Sequence, residues 1–263
     1  MGILLQTVNL IATHYTPEQI QAKAATVRQR LLRDSIRVRA GNFHSICDRD
    51  IQILFRLYDE VFFRGELGSE VIHRTGIPLK LHASGAMTRL GGKTTQFRQR
   101  SSAGITTRYE IAISGRLLLS SFAGEGRPVM VSGLSCRDRL DALQRIMEHE
   151  LIHLAEWLTF GTSSCAKTRF MTLAQRIFGH RQRYHQLVTP HEHAARQFSL
   201  KVGDPVAFSF GGQALRGFIN RIGVRATILV EQAQGTRYTD GCHYAKYYVP
   251  VSQLRKPAEH NKQ

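Results

Sequence analysis

Apolar positions change their period along the chain, and the changes divide it. Around Thr16, Pro17, Glu18 and Gln19 a hydroxyl cap, a proline at the first helical position and an acid at the positive dipole end predict a helix that runs through Val27 and Leu32. Ile51, Ile53, Leu54, Leu57, Tyr58, Val61 and Phe62 predict a second helix, with Asp48 as its cap and Gly65 closing it. Alternation over 77–84 and 108–114 predicts two strands, the second with Tyr109, Ile111 and Ile113 on one face. Gly85, Gly91 and Gly92 mark a turn-rich loop between them. A short apolar segment follows at 117–122, then a third strand or extended loop at 128–133.

Residues 141–158 contain neither Gly nor Pro and carry apolar side chains at helical spacing, which predicts a buried helix capped by Asp138 or Asp141. Ser163 or Ser164 is expected to cap a helix from Cys165 to Phe178 that ends at Gly179, and 190–198 reads as one more short helix. Beyond Val202 the pattern becomes short alternating runs at 205–210, 215–222, 226–231 and 244–249. Gly211-Gly212, Gly223, Gln234-Gly235 and Asp240-Gly241 separate them, as hairpin turns of a small β-barrel would. The expected organisation is a helical extension over 1–44, an α+β domain over 45–198, a barrel over 199–256 and a tail over 257–263.

Composition narrows the class. The 263 residues are 42% hydrophobic and 21% charged, which fits a folded globular chain, and no apolar run is long enough to span a membrane. The opening stretch lacks a basic region and a small-residue cleavage site, so a soluble, cytoplasmic protein is expected. Cys47, Cys136, Cys165 and Cys242 form no C-x-x-C pair, against a disulfide framework or a four-cysteine zinc ribbon. A formal charge of +16 favours an anionic polymer, DNA or RNA, as partner. The basic residues cluster: Arg89, Lys93, Arg98, Arg100 and Arg108 precede the long helix, and Lys167, Arg169, Arg176, Arg181 and Arg183 follow it, neither run containing an acid.

That helix carries His149-Glu150-Leu151-Ile152-His153. Four residues on a helix return a side chain to nearly the same azimuth, so the two imidazoles lie one above the other and can share a cation. Zn²⁺ takes such ligands, and Glu150 beside the first of them is placed to act as general base on a water. A charged surface helix is the plain alternative, but Ile146, Met147, Leu151, Ile152, Leu154 and Trp157 make this one buried, where His and Glu without partners are costly. A third protein ligand is usual. Glu156, Cys165, His180, His185, His191 and His193 are available, none at diagnostic spacing, and position 159, where a metzincin would have a third His, is Thr.

The ordered set Phe55, Tyr58, Asp59, Phe62, Phe63, Gly65, Leu67; strand 109–114; His149, Glu150, His153; and Phe170, Leu173, Ala174, Phe178, Gly179 resembles SprT-like zinc metalloproteases, over roughly residues 45–185. That family includes the Spartan-type enzymes that digest proteins crosslinked to DNA. The resemblance implies a zincin-like core, a protein or peptide substrate, Zn²⁺ on His149 and His153, Glu150 as catalytic residue, and strand 109–114 as an edge on which an extended peptide pairs. The family's third ligand is a His followed by Gly where Ala166 and Lys167 stand here. Cys165, one position earlier, is the nearest replacement, its thiolate favoured at a helix start; His180 is the second candidate, and solvent the third. In place of the family's C-terminal ribbon, 202–208 and the hairpin at Gly217 resemble SH3-like or KOW-type modules. There Arg216, Arg221, Arg225, Arg237 and Lys246 accompany Tyr238, Tyr244, Tyr247 and Tyr248, a combination suited to contacting phosphates and stacking bases.

Overall fold

The computed structural model describes residues 13–102, 104–122, 128–223 and 225–257. The opening stretch read as lacking a signal, and all of the expected tail but Pro257, lie outside the described residues. The fold is mixed α and β, and the chain divides into two compact units, 1–187 and 188–263.

The first unit begins with α1 (Pro17–Asp34), whose Thr16 and Gln19 form a reciprocal capping box. Val27 and Leu31 are fully buried in the same core as α2 (Asp48–Phe63), so the helix expected as an extension belongs to this unit. Cys47, not Asp48, is the cap position of α2: Asp50 reaches back to accept from the Cys47 amide at 2.9 Å. Asp48 instead accepts from the Ala83 amide at 2.9 Å and so ties down the strand beside it. Gly65, at φ +80°, ends one helix and opens α3 (Glu66–Thr75), whose first amides bond the Asp59 carboxylate.

β1 (Lys80–Ser84), β2 (Gly92–Ser101) and β3 (Gly104–Ser114) form a sheet in the order β1-β3-β2. β1 runs parallel to β3 and β2 antiparallel to it. Tyr109, Ile111 and Ile113 are buried on one face as expected. Strand 109–114, however, is central rather than an edge, because the basic run expected as a loop supplies β2. The edges of the sheet are β1 and β2, whose far sides pair with no other strand among the described residues.

α4 (Gly115–Ser121), β4 (Val129–Val131) and β5 (Leu134–Cys136) lead into α5 (Arg139–Phe160), the central helix. Asp138 caps it, accepting from the Asp141 amide at 2.8 Å, and Gly161 ends it in the left-handed region. α6 (Thr168–Phe178) begins at Thr168, with Lys167 at its cap position and no side-chain bond there. β6 (His185–Gln186) pairs with β4 and closes a small sheet in the order β5-β4-β6.

In the second unit, α7 (Pro190–Phe198) precedes β7 (Pro205–Phe210), β8 (Gln213–Ile222), β9 (Ala226–Arg237) and β10 (His243–Val249). The strands form an antiparallel meander, a half-barrel, and a bridge from Ala207 to Arg255 begins to cover its β7 edge. Ala194 and Leu200 lie in the core of this unit, which is why it starts ahead of the boundary expected at 199.

Candidate metal centre

α5 brings its two histidines together as the four-residue spacing predicts, with ring centroids 4.9 Å apart. Phe170 of α6 packs against both rings, at 4.7 Å from His149 and 4.5 Å from His153. Donor atoms of His149, His153 and Cys165 all lie within 4.8 Å of one another. The Cys165 thiol reaches the histidines from the turn ahead of α6 rather than from a helix start.

Burial sets the protonation of the rings. It pushes His149 well below the ordinary imidazole range, helped by His185 and His153 nearby. The same desolvation takes His153 down to about 4 against the opposing charge of Glu156. The rings are neutral at pH 7, the form that binds a metal.

A chain of bonds selects the tautomer of His153. Its Nδ1 lies 2.7 Å from Ser163 Oγ, and Ser163 Oγ donates to Glu156 Oε2 at 2.7 Å. A hydroxyl has one hydrogen, so the first contact is Nδ1–H donating to Ser163, and the Nε2 lone pair is left for a ligand. Glu156 also accepts from Arg169 Nε at 2.7 Å and from the Ser164 amide at 3.3 Å. It is therefore a support for the ligand rather than a ligand. Ser163 and Ser164, expected to cap α6, serve this carboxylate instead.

Glu150 is 2% exposed. Burial raises its carboxyl to about 7, against hydrogen bonds from Thr94, whose Oγ1 donates to Oε2 at 2.8 Å. Gly92 makes room for it: a Cβ there would stand 2.6 Å from Glu150 Oε1 and 2.8 Å from an Ile146 methyl. Both residues belong to β2, and neither was expected to take part.

His180 does not join the cluster. Its Nε2 lies 2.8 Å from Glu148 Oε2, and Glu148 also accepts from Tyr58 Oη at 2.7 Å and Arg145 Nη1 at 2.9 Å. Burial pushes the Glu148 carboxyl up, but Arg145 and His180 outweigh it and hold it below the ordinary value.

His185 stands there instead, its ring centroid 4.7 Å from that of His149. Donor atoms of His149, Glu150 and His185 form a second group within 4.8 Å. Burial lowers His185 to about 4, with His180 and His153 adding to the effect. The pairing of β6 with β4, at Val131 and His185, puts it there.

These donors suit zinc. Imidazole nitrogen and thiolate sulfur are its preferred ligands. Nδ1 of His149 and Nδ1 of His185 are buried with no hydrogen-bond partner among the described residues, as is Nδ1 of His180 outside the cluster, so each has a bonding demand still to be met. Among the described residues no helix is long and apolar enough to cross a membrane. Comparison of the chain with family models, with curated proteins and with solved structures finds no match in any of the three.

Proposed function

We propose that this protein is a zinc-dependent endopeptidase of SprT-like type, with a zincin-like core, acting on DNA-associated or crosslinked proteins. The observation that carries the reading is the convergence of His149, His153 and Cys165 within 4.8 Å beside a buried, hydrogen-bonded Glu150. His149, His153 and Cys165 would hold Zn²⁺, which supplies a Lewis acid that polarises the scissile carbonyl and acidifies water. Glu150 takes the proton of the attacking water and returns it to the leaving amine, a role that suits a carboxyl raised to about 7. Thr94 holds the carboxylate in position. An extended peptide pairs with the open side of β2, next to Glu150, and its backbone supplies the affinity. Basic surfaces bring the enzyme to nucleic acid and so to its substrates.

The test is zinc content together with DNA-stimulated casein cleavage, in the wild type and in Glu150→Gln. Retained zinc with cleavage abolished supports the reading; equal cleavage by both proteins removes Glu150 from the chemistry and the peptidase with it.

His185 favours a second reading. With the ion on the second donor group, His149, Glu150 and His185, Glu150 is a ligand and not a free base, the zinc is structural, and the protein binds nucleic acid without cleaving protein. Zinc content of Glu150→Gln separates the two: the ion stays at the wild-type level in the first reading and falls in the second.

A further inference from the structure

One face of the half-barrel is closed by its own core. Val206, Phe208, Ile219, Ile228, Val230 and Val249 point inward, to the side where Ala194 of α7 and Leu200 pack. Alternation sends their neighbours to the other face. Strand pairing there aligns Phe218, Leu229 and Lys246 in one row, and Arg221, Thr227 and Tyr248 in the next. Phe218 is 52% exposed and Tyr248 59%, and among the described residues no helix of the second unit covers them. Arg216 lies two residues before Phe218 on the same face, opposite Ala207. A register shift between Ile219 and Arg221 keeps Arg221 outward while Ile222 returns to the core. The charged groups of the face are Arg216, Arg221, Lys246 and Glu231, a net positive balance.

Aromatic rings set apart among cations on an open sheet are a stacking platform. We propose that this face binds single-stranded nucleic acid, with Phe218 and Tyr248 each stacking on a base and Arg216, Arg221 and Lys246 contacting phosphates. Spacing selects the single strand. Two inter-strand steps of about 4.8 Å and a two-residue offset of about 6.8 Å place the two side chains roughly 12 Å apart. Stacked bases rise about 3.4 Å per strand, and a duplex keeps their faces hidden, so only a strand with splayed bases offers one to each ring. The inference rests on the nucleic-acid part of the proposed function and is independent of its peptidase part.

Fluorescence anisotropy of the full chain with a labelled 12-nucleotide oligothymidylate, and with a duplex of the same length, tests it. The single strand binds more tightly, and Phe218→Ala and Tyr248→Ala each weaken it about tenfold, within the range known for a lost base stack. Tyr248→Phe keeps the ring and the affinity. Arg221→Ala makes log K against log salt shallower by about one charge. Both aromatic side chains are more than half exposed, so truncation leaves the fold intact, which a thermal melt checks. If the double variant holds the oligonucleotide as the wild type does, or the wild type prefers the duplex, the platform is refuted while nucleic-acid binding elsewhere stands. If the wild type binds neither, both are refuted, and cleavage of casein by wild type but not Glu150→Gln still decides the peptidase.

Discussion

Ser163 Oγ lies 2.7 Å from His153 Nδ1 and passes its own hydrogen to Glu156. The relation makes the orientation of His153, a ligand in the proposed site, depend on a residue ten positions away. Ser163→Ala removes the acceptor of Nδ1–H, and the ring loses both its tautomer preference and its orientation. Zinc affinity, read by competition with a chromophoric chelator, is expected to fall by roughly tenfold or more, as for other outer partners of ligand histidines. Unchanged affinity would mean that the relay has no hold on the metal.

Gly92 offers a steric test of Glu150. No positive φ is needed at this position, so Gly92→Ala acts only through its methyl, which meets Glu150 Oε1 and Cγ and the Ile146 side chain. Thr94, on the same face of β2, holds the other carboxylate oxygen, so the carboxylate has to leave its place. Cleavage is expected to drop by about 10²-fold, since misplacement by an ångström carries that penalty. Zinc content stays at the wild-type level, because His149 and His153 are untouched. A variant that cleaves at full rate places the base elsewhere.

What could be read in the sequence tracks how strongly each side chain is tied to a period. The helix of His149 and His153 was legible because its apolar residues repeat at helical spacing without interruption. β2 was not: Lys93, Thr94, Thr95, Gln96, Arg98, Gln99 and Arg100 offer a single apolar neighbour, Phe97, so no alternation marks the strand. Its register with β3, and hence the arrival of Gly92 and Thr94 at Glu150, is a property of pairing over a hairpin. Gly65 read as a helix stop and concealed that the next helix begins there. Ser163 and Ser164 look like caps because hydroxyls before a helix usually are, but the Ser163 hydroxyl and the Ser164 backbone amide donate to a buried Glu156 next to Arg169. His185 sits on a strand of two residues, too short to show any pattern.

The two donor groups share His149; His153 and Cys165 complete one, Glu150 and His185 the other, so deletion of Cys165 or of His185 distinguishes them. Cys165→Ala is expected to lower zinc occupancy and to abolish the thiolate-to-metal band near the ultraviolet in the Co²⁺ protein. His185→Ala leaves that band in place. Chelation of the wild type should also lower Tm, because an ion at 100 times its Kd stabilises by about 2.7 kcal/mol, worth several degrees in a chain of this size. Full zinc occupancy in Cys165→Ala would reject Cys165 as a ligand.

Asp50 is expected to make the fold acid-sensitive through partners that do not include the clustered histidines. It is buried, and accepts from Ser35 Oγ at 2.5 Å and from the Cys47 amide at 2.9 Å. Burial alone would raise its carboxyl, but the hydrogen bonds from Ser35 and Cys47 outweigh it and hold it below 3.8. A carboxyl depressed in the folded state contributes stability that is present above its unfolded value and is lost as pH falls through the folded one. Asp50→Asn turns an amide donor toward one of these donors and leaves it unmet, at a loss of about 1–3 kcal/mol near neutral pH. Denaturant midpoints measured down the pH scale should then converge, the wild type losing its advantage below about pH 4, where the unfolded carboxyl takes up its proton. A difference between the two proteins that stays constant from pH 7 to pH 3 would show that Asp50 acts through its shape and not through its charge.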